Sequence, residues 1–219
     1  MRAPARPRPR QSPIAKRELI LRVAREEFAA RGFAATRVEM LARKARVNKA
    51  LLYYYFGNKL ALYREVVAVG IQALAERLAV VADADAGADV KIHRWVEELS
   101  AFLADHPVMT PLMLRELADG GRHFDAATLR RLVSILPMVV RIVKQGHEEG
   151  TFGSTDPLSL HFVILGSTML FNANAPIRRR VNQLGIAQPP IDVTPFVRYL
   201  QQVALRMLRK DPHHGHSNV

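Results

Sequence analysis

Residues 36–59 read TRVEMLARKARVNKALLYYYFGNK, and this stretch decides the fold of the chain. Thr36 followed by Glu39 has the capping-box spacing, in which a hydroxyl and a carboxylate satisfy backbone donors at a helix start. Apolar residues recur at i, i+3, i+4 and i+7 from Val38, which predicts one buried stripe. Asn48 is a good N-cap for a second helix. Two capped helices with a tight turn and a cationic face describe a helix-turn-helix, whose second helix enters the DNA major groove.

The outward face of that second helix follows from the helical angle of about 100° per residue. Leu52 and Tyr55 fall on one side. The opposite arc carries Lys49, Ala50, Tyr53 and Tyr54, with Leu51 near the rim. Because three consecutive tyrosines cannot all be buried on so short a helix, we expect Tyr55 inside and the other two outside. An exposed phenol can donate to a phosphate oxygen. The alternative is that all three tyrosines are partly buried against the small domain's core.

An ordered series of residues around this motif resembles a known family. The series comprises Arg31-Gly32-Phe33, Thr36, Leu41-Ala42, Ala45, Val47, the run from Leu52 to Phe56, and Lys59-Leu60. With the amphipathic helix that precedes it, the segment 12–67 resembles the N-terminal DNA-binding domain of TetR/AcrR bacterial transcriptional regulators. Two residues depart from the family pattern. Arg46 stands where glycine is usual in the turn, and Asn48 stands where serine or threonine is usual.

The resemblance implies roles for individual residues. Thr36 and Arg37 would meet the DNA backbone, and Arg46 would add a phosphate contact. The expected groove-facing residues are Asn48, Lys49, Ala50 and Leu51, and the expected phosphate-gripping residues are Tyr53, Tyr54 and Lys59. Among these, Lys49 can donate to guanine O6 or N7, and Ala50 or Leu51 can touch a thymine methyl group.

Basic residues are concentrated at the amino end of the chain. Residues 1–64 contain 16 Lys/Arg and 4 Asp/Glu, whereas residues 65–219 contain 16 of each. The whole net charge of +12 therefore lies in the first 64 residues. Segregation of this kind is the electrostatic footprint of a domain that binds a polyanion, and duplex DNA is favoured over an acidic membrane surface.

The first eleven residues, MRAPARPRPRQ, form a basic, proline-rich arm. They cannot bury an apolar face and are expected to be disordered. The four arginines could reach along the DNA backbone or into a minor groove. An inert, solubilising start of the chain explains the composition equally well.

The remaining composition limits the possible classes. The chain has 219 residues, which is enough for two domains, and it has no cysteine. The longest apolar stretch, 162–171, is too short to span a bilayer, so we expect a cytoplasmic protein with no membrane partner. The histidines lack ligand spacing, and we expect neither a metal nor a cofactor. The predicted organisation is an arm at 1–11, a helix-turn-helix domain at 12–58, a helical domain at 59–210 and a disordered tail at 211–219.

The region after Lys59 predicts helix after helix, with no alternating pattern of a strand. The predicted helices cover 58–82, 89–105, 107–119, 124–149, 157–174 and 193–210. Glycines and prolines mark the breaks between them. The sequence therefore predicts an all-α chain with a helix-turn-helix head and a C-terminal helical domain for ligand binding and dimerisation.

Two sets of residues are candidates within the C-terminal domain. A four-helix dimer interface would use Leu160, Ile164, Ser167, Phe196, Leu200, Val203 and Met207. The alternative is that these stripes face only their own chain's core. An adaptable apolar pocket would use Trp95, Phe102, Met109, Met113, Phe124, Met138, Phe162 and Met169. The alternative is that each of these is an ordinary core residue.

The sequence hypothesis is a homodimeric transcriptional regulator, expected to be a repressor, that binds a palindromic double-stranded DNA operator. A small, mostly apolar effector would release it. A second class is an architectural DNA-binding protein without an effector response. A third class, an all-α enzyme, lacks support because the chain has no HExxH motif, no phosphate-cradling glycine loop and no cysteine nucleophile.

Overall fold

The computed structural model describes residues 12–187 and 190–209, and every regular element in these ranges is a helix. The all-α class is confirmed. The helices are α1 Pro13–Ala35, α2 Val38–Lys44, α3 Lys49–Phe56, α4 Lys59–Ala82, α5 Ala88–Asp105, α6 Met109–Ala118, α7 Ala126–Val133, α8 Leu136–Glu148, α9 Pro157–Ala173, α10 Ala175–Gln183 and α11 Val193–Leu208. The predictions for the arm at 1–11 and the tail at 211–219 lie outside the described residues.

The chain divides into two compact units, Met1–Val67 and Ala68–Val219. The first unit contains α1, α2, α3 and the first turns of α4. Its core includes Phe28, which meets the ring of Tyr63 edge-on at a centroid distance of 5.0 Å. Tyr63 lies in α4, so these first turns of α4 complete the core of the first unit. The unit consequently extends beyond the domain end expected at residue 58.

The predicted capping box at Thr36 is wrong. Thr36 follows the last residue of α1, and the N-cap of α2 is Arg37, which makes no side-chain capping bond. The Thr36 hydroxyl instead lies 2.8 Å from the Gly32 carbonyl oxygen and 3.3 Å from that of Glu27. The cause is Gly32, whose φ of 77° interrupts the helical backbone and leaves carbonyls of α1 in need of a donor.

The second unit is organised around α5, which packs against α8, α9 and α11. The inward face of α5 buries Ile92, Trp95 and Leu99 almost completely. These side chains share one apolar cluster with Leu160 of α9 and Leu200 of α11. Removal of this apolar surface from water is the main stabilising term for the unit.

Most predicted helices agree with the structure to within about two residues at each end. The single helix predicted over 124–149 is wrong, because the chain there forms two helices, α7 and α8. Pro137 lies in the first turn of α8, where its missing amide and its effect on the preceding residue favour a new helix start. α10 was not predicted at all. It contains no fully buried side chain, so no apolar stripe marks it in the sequence.

Within the part of the chain that the structure describes, the helices and the acidic and histidine side chains bear on two other kinds of site, a membrane span and a metal site. No single helix there has both the length and the apolar character needed to cross a bilayer, although α9 and α10 reach them jointly across a bend of 54°. Over the same residues, no group of three or more His, Cys, Asp and Glu side chains is arranged to hold a metal ion.

Candidate functional site

The turn between α2 and α3 closes in a Schellman arrangement. The Val47 amide donates to the Ala42 carbonyl (3.0 Å), and the Arg46 amide donates to the Arg43 carbonyl (3.2 Å). Arg46 adopts a left-handed conformation with φ 54°, and no other described residue except glycine has a positive φ. Arg46 therefore accepts the geometry that glycine usually provides, at a cost of about 1 kcal/mol. Its side chain remains exposed.

The orientation of α3 agrees with the helical-angle prediction. The Asn48 Oδ1 atom accepts from the Leu51 amide (2.7 Å), which confirms the predicted N-cap. Leu52 is fully buried. Tyr55 is half-buried, and its hydroxyl donates to the Pro13 carbonyl (3.1 Å).

The outer arc of α3 is open to solvent. Tyr53 is 39 % exposed and Tyr54 is 81 % exposed, as predicted. The exposed residues around them are Asn48, Lys49 and Ala50, with Leu51 half-buried at the rim. α3 thus exposes a lysine and two phenol groups on one side, while Leu52 and Phe56 on its other side are buried in the protein.

Lys49 makes specific contacts within the protein. Its Nζ atom donates to Glu39 Oε1 (2.5 Å) and lies 5.7 Å from the centre of the Tyr53 ring. The hydrogen bond from Lys49 lowers the pKa of the Glu39 carboxyl, and the Glu39 carboxylate raises the pKa of Lys49. Both groups are consequently charged around neutral pH. No sequence motif indicated that Glu39 would pair with a residue of α3.

Thr36 and Lys59, which were expected to contact the DNA backbone, make contacts within the protein instead. The Thr36 side chain is completely buried, so its predicted contact with DNA is wrong for the side chain. Arg37 beside it is exposed. Lys59 Nζ donates to the carbonyls of Phe33 (2.9 Å) and Thr36 (3.1 Å) and lies 4.2 Å from the centre of the Phe33 ring. Lys59 thus holds the end of α1, and one of its three N–H groups remains for another acceptor.

Glu27 neutralises two of the clustered cations. Only 6 % of its surface is exposed, and its carboxylate accepts from Arg31 (3.1 Å) and from Lys44. The hydrogen bond from Lys44, followed by the charge of Lys44 and the contacts of Arg31, lowers the pKa of Glu27 against the opposing effect of burial. By contrast, Arg43 and Arg46 are exposed and form no ion pair with a described residue.

The predicted pocket residues of the second unit have mixed positions. Trp95, Phe102, Met109 and Met169 are buried, and Met113, Phe124 and Met138 are half-buried. The prediction for Phe162 is wrong, because its side chain is 63 % exposed. Leu160 and Ile164 occupy the inner face of α9, which turns Phe162 outward.

Several buried polar atoms in the second unit have no hydrogen-bond partner among the described residues. They are Trp95 Nε1, Ser100 Oγ, Thr110 Oγ1 and His161 Nδ1. Burial lowers the pKa of His161, so its ring is neutral around pH 7. Unpaired buried polar atoms are rare because each carries a desolvation cost of about 1–3 kcal/mol. Ser100 and Thr110 were not identified from the sequence, since isolated hydroxyl residues in helices carry no distinctive pattern.

The predicted dimer interface is wrong for three of its residues. Leu160, Ile164 and Leu200 belong to the apolar cluster of their own chain, as the alternative interpretation held. Ser167, Phe196, Val203 and Met207 are half-buried. The exposed apolar side chains of α9 are instead Leu158, Phe162 and Leu170, which lie on one face with Gly166 between them.

Comparisons with known proteins agree with this geometry in both units. Residues 20–66 match the family described as bacterial regulatory proteins, tetR family. Residues 89–190 match the family described as tetracyclin repressor-like, C-terminal domain. The chain belongs to the TetR family.

Relatives of this TetR-family chain include two named repressors. It is 34 % identical over 111 residues to the HTH-type transcriptional repressor SCO4008 of Streptomyces coelicolor, a match that covers 51 % of this chain and only 54 % of that protein. It is 26 % identical over 205 residues to the HTH-type transcriptional repressor NicS of Pseudomonas putida, covering 89 % of this chain and 92 % of that protein.

A crystal structure of a tetR-family regulatory protein from Rhodococcus RHA1 shares the fold with a TM-score of 0.73. The two are 18 % identical, and the match covers 90 % of this chain and 98 % of that chain. Membership of this family, with named repressors among its relatives, identifies the chain as a DNA-binding transcriptional regulator rather than an enzyme.

The strained turn of this regulator gives a prediction with a matched control. Arg46→Gly should raise the free energy of unfolding by about 1 kcal/mol, because glycine meets a positive φ without steric conflict. Arg46→Ala keeps the strain and should leave stability within about 0.5 kcal/mol of the parent. Urea denaturation followed by circular dichroism measures both. Equal stability of the two variants would show that the turn is not strained at Arg46.

Proposed function

We propose that this regulator is a ligand-responsive repressor. As a homodimer it binds a palindromic operator with α3 of each protomer in the major groove, and a small, mostly apolar effector releases it. Its site of action is DNA in the cytoplasm. The observation that carries the proposal is the outer arc of α3, where Lys49, Tyr53 and Tyr54 are exposed on a helix whose other face is buried. The names of the Streptomyces and Pseudomonas relatives support the repressor assignment.

The outer arc divides into groups that suit bases and groups that suit phosphates. Lys49 donates to guanine O6 or N7, and Ala50 and Leu51 contact thymine methyl groups. The Tyr53 and Tyr54 hydroxyls donate to phosphate oxygens.

The flanking residues complete the phosphate contacts. Asn48 uses its Oδ1 atom for the cap and has its NH₂ group left for a flanking phosphate or base edge. Arg37 and Arg46 contribute positive charge at the backbone. Lys59 adds one remaining N–H, so its contribution to phosphate binding is smaller than that of a free lysine.

The division between base and phosphate contacts predicts different effects of two substitutions. Lys49→Ala should change which operator sequences are preferred, with a loss of about ten- to a hundredfold at a site that contains the contacted guanine. Tyr54→Phe should weaken binding to all sequences alike, because its hydroxyl meets only phosphate. In vitro selection followed by binding titration measures both the preferred sequence and the affinity.

Footprinting separates a repressor from an architectural DNA-binding protein. A repressor should protect a defined palindrome in footprints of the DNA upstream of its own reading frame. An architectural protein should show weak sequence preference, a steep salt dependence and no response to small molecules. A uniform loss of affinity for Lys49→Ala would reduce Lys49 to a backbone contact.

The homodimer is proposed to use the outer face of α9 instead of the residues first expected. Phe162 and Leu170 are 63 % and 65 % exposed, and Tyr199 of α11 is 64 % exposed. Val203, a half-buried residue of the expected set, lies four residues after Tyr199 on the same side of α11. Exposed apolar side chains on two neighbouring helices are suited to an isologous four-helix interface. A two-fold dimer matches a palindromic operator with half-sites about 34–36 Å apart.

A charge placed in this face should dissociate the dimer. Phe162→Glu should convert dimer to monomer at micromolar concentration, because a carboxylate would be buried without a partner. Val80→Glu is the matched control, since Val80 is 75 % exposed on α4 and should tolerate the charge. Analytical ultracentrifugation measures the assembly. An unchanged dimer in Phe162→Glu would assign the interface to another surface.

The effector is proposed to bind in the second unit among α5, α6 and α9. Trp95 and Ser100 of α5, Thr110 of α6 and His161 of α9 each contribute a buried polar atom that no described residue satisfies. Because Trp95 Nε1 is only a donor, the effector must supply an acceptor there. The neutral His161 ring offers no positive charge to a ligand anion, which favours an uncharged effector.

Release of DNA requires that the effector prefers one state of the protein. A compound with equal affinity for the operator-binding state and the released state would shift nothing, however tightly it bound. α4 runs without interruption from Lys59 to Ala82 and contributes residues to both units. It is therefore the proposed route by which binding in the second unit affects the head.

Trp95 provides a direct reporter for the effector, because it is the only tryptophan in the chain. Titration with a library of small uncharged apolar compounds should reveal some that change Trp95 emission and release operator DNA over the same concentration range. Trp95→Phe should abolish the optical signal and weaken release. A compound that releases operator without changing Trp95 emission would place the effector site elsewhere.

A further inference from the structure

Glu39 connects α2 to the recognition helix at the exposed edge of the head. It lies ten residues before Lys49, in the first turn of α2, and its Oε1 atom accepts from Lys49 Nζ at 2.5 Å. The two side chains are 63 % and 49 % exposed. This pair therefore differs from the buried Glu27 with its cations, because it lies on the surface that is proposed to face DNA.

Several groups stabilise the ionised form of the Glu39 carboxyl. Besides Lys49, its own backbone amide and the charge of Arg37 act on it, and all three lower its pKa. A carboxylate in the first helical turn is also favoured by the free amides of that turn. Glu39 is consequently ionised at neutral pH, beside a surface that is proposed to approach phosphates.

Lys49 is restrained on two sides. The carboxylate of Glu39 takes one N–H, and the Tyr53 ring lies below the ammonium at 5.7 Å. An ammonium has three donors, so two remain for other acceptors. The charge of Lys49 is largely balanced by Glu39, whereas Arg43 and Arg46 have no acidic partner among the described residues.

We propose that Glu39 is a specificity-determining positioning residue that acts through Lys49. By balancing the charge of Lys49, it removes most of the attraction of this lysine for the phosphates of any sequence, and it directs the remaining N–H groups toward base acceptors. The inference rests on the proposed function, and in particular on Lys49 facing the groove.

The physical basis is a difference between correct and incorrect DNA sites. Glu39 competes with the phosphates for the ammonium of Lys49 in every complex, and this competition weakens the phosphate contact of Lys49 on all sequences. In a correct site, the donors of Lys49 also find guanine acceptors, which offsets the loss. In an incorrect site nothing offsets it. Glu39 thus lowers absolute affinity and raises the ratio between specific and non-specific binding.

Glu39→Gln tests the proposal, because it removes the charge and preserves the size of the side chain. Two duplexes serve as probes: the best sequence recovered by in vitro selection with the parent protein, and a shuffled sequence of the same composition. Affinity for the shuffled duplex should rise by about two- to fivefold, which is the range measured for one exposed ion pair. The salt slope on that duplex should steepen by about 0.9, equivalent to one additional phosphate contact. Affinity for the selected duplex should rise less, so discrimination falls.

The same substitution in a Lys49→Ala background shows whether Glu39 acts through the lysine. If the proposal is correct, Glu39→Gln has little further effect on the shuffled duplex once Lys49 is absent. An equal gain in both backgrounds would overturn the proposal, because Glu39 would then act as a general repulsive charge. Unchanged discrimination in the single variant would overturn it as well.

The failure of the proposed function has a separate signature. In that case neither the parent protein nor any variant would distinguish the selected duplex from the shuffled one, and both ideas would fall. If the parent discriminates and Glu39→Gln discriminates equally well, only the inference about Glu39 fails. Circular dichroism of each variant confirms that the helical fold is retained.

Discussion

The side chains of Thr36 and Lys59 hold the end of α1, and the position of α3 depends on them. Gly32 breaks the helical backbone with a φ of 77°, which exposes carbonyls at the end of α1. The Thr36 hydroxyl donates to the Gly32 carbonyl. Lys59, at the start of α4, donates to the carbonyls of Phe33 and Thr36. These bonds join the end of α1, the start of α2 and the start of α4, so the path that α3 can follow between them is restricted. The Thr36 side chain is fully buried, so water has little access to the carbonyls that its hydroxyl satisfies. Loss of the hydroxyl would therefore leave these buried carbonyls without a hydrogen-bond donor.

In the first unit, some basic side chains are paired with carboxylates and others are not. The first 64 residues contain only four acidic side chains, and two of these are placed against cations on different surfaces. Glu27 is buried in α1 and pairs with Arg31 of the same helix and with Lys44 of α2, so the pair with Lys44 joins α1 to α2. Glu39 is exposed and meets Lys49 at the outer arc of α3. Arg43 and Arg46 form no ion pair with a described residue, and we infer that they contribute to the general attraction for phosphates. A net charge of +12 therefore overstates how many cations are free to act on DNA.

The features predicted correctly from the sequence depend on neighbours within one turn of helix. Asn48 as a cap and the outward orientation of Tyr54 are of this kind, since three- or four-residue spacing fixes both. The pair Glu39–Lys49 and the pair Glu27–Lys44 are separated by 10 and 17 residues, and no periodicity links their members. The capping box failed for a related reason: Thr36 had a competing set of acceptors in α1 that the local pattern does not reveal. Leu160 and Ile164 of α9 lie in the core of their own chain rather than at the expected interface. Apolar residues occur all round this helix, so periodicity does not indicate which face is buried.

α9 carries apolar side chains both on a buried face and on an exposed face. One face of the helix buries Leu160 and Ile164 in the core of the second unit, and the same helix carries His161 with its unpaired Nδ1 atom. The opposite face exposes Phe162 and Leu170, where a second protomer is proposed to pack. Close-packed helices transmit small displacements because their side chains interdigitate and cannot deform continuously. Any displacement of α9 by an effector bound near His161 would therefore also reach the face on which a second protomer is proposed to pack. Effector binding and the assembly of the dimer are consequently expected to be coupled on α9, with the head responding through α4.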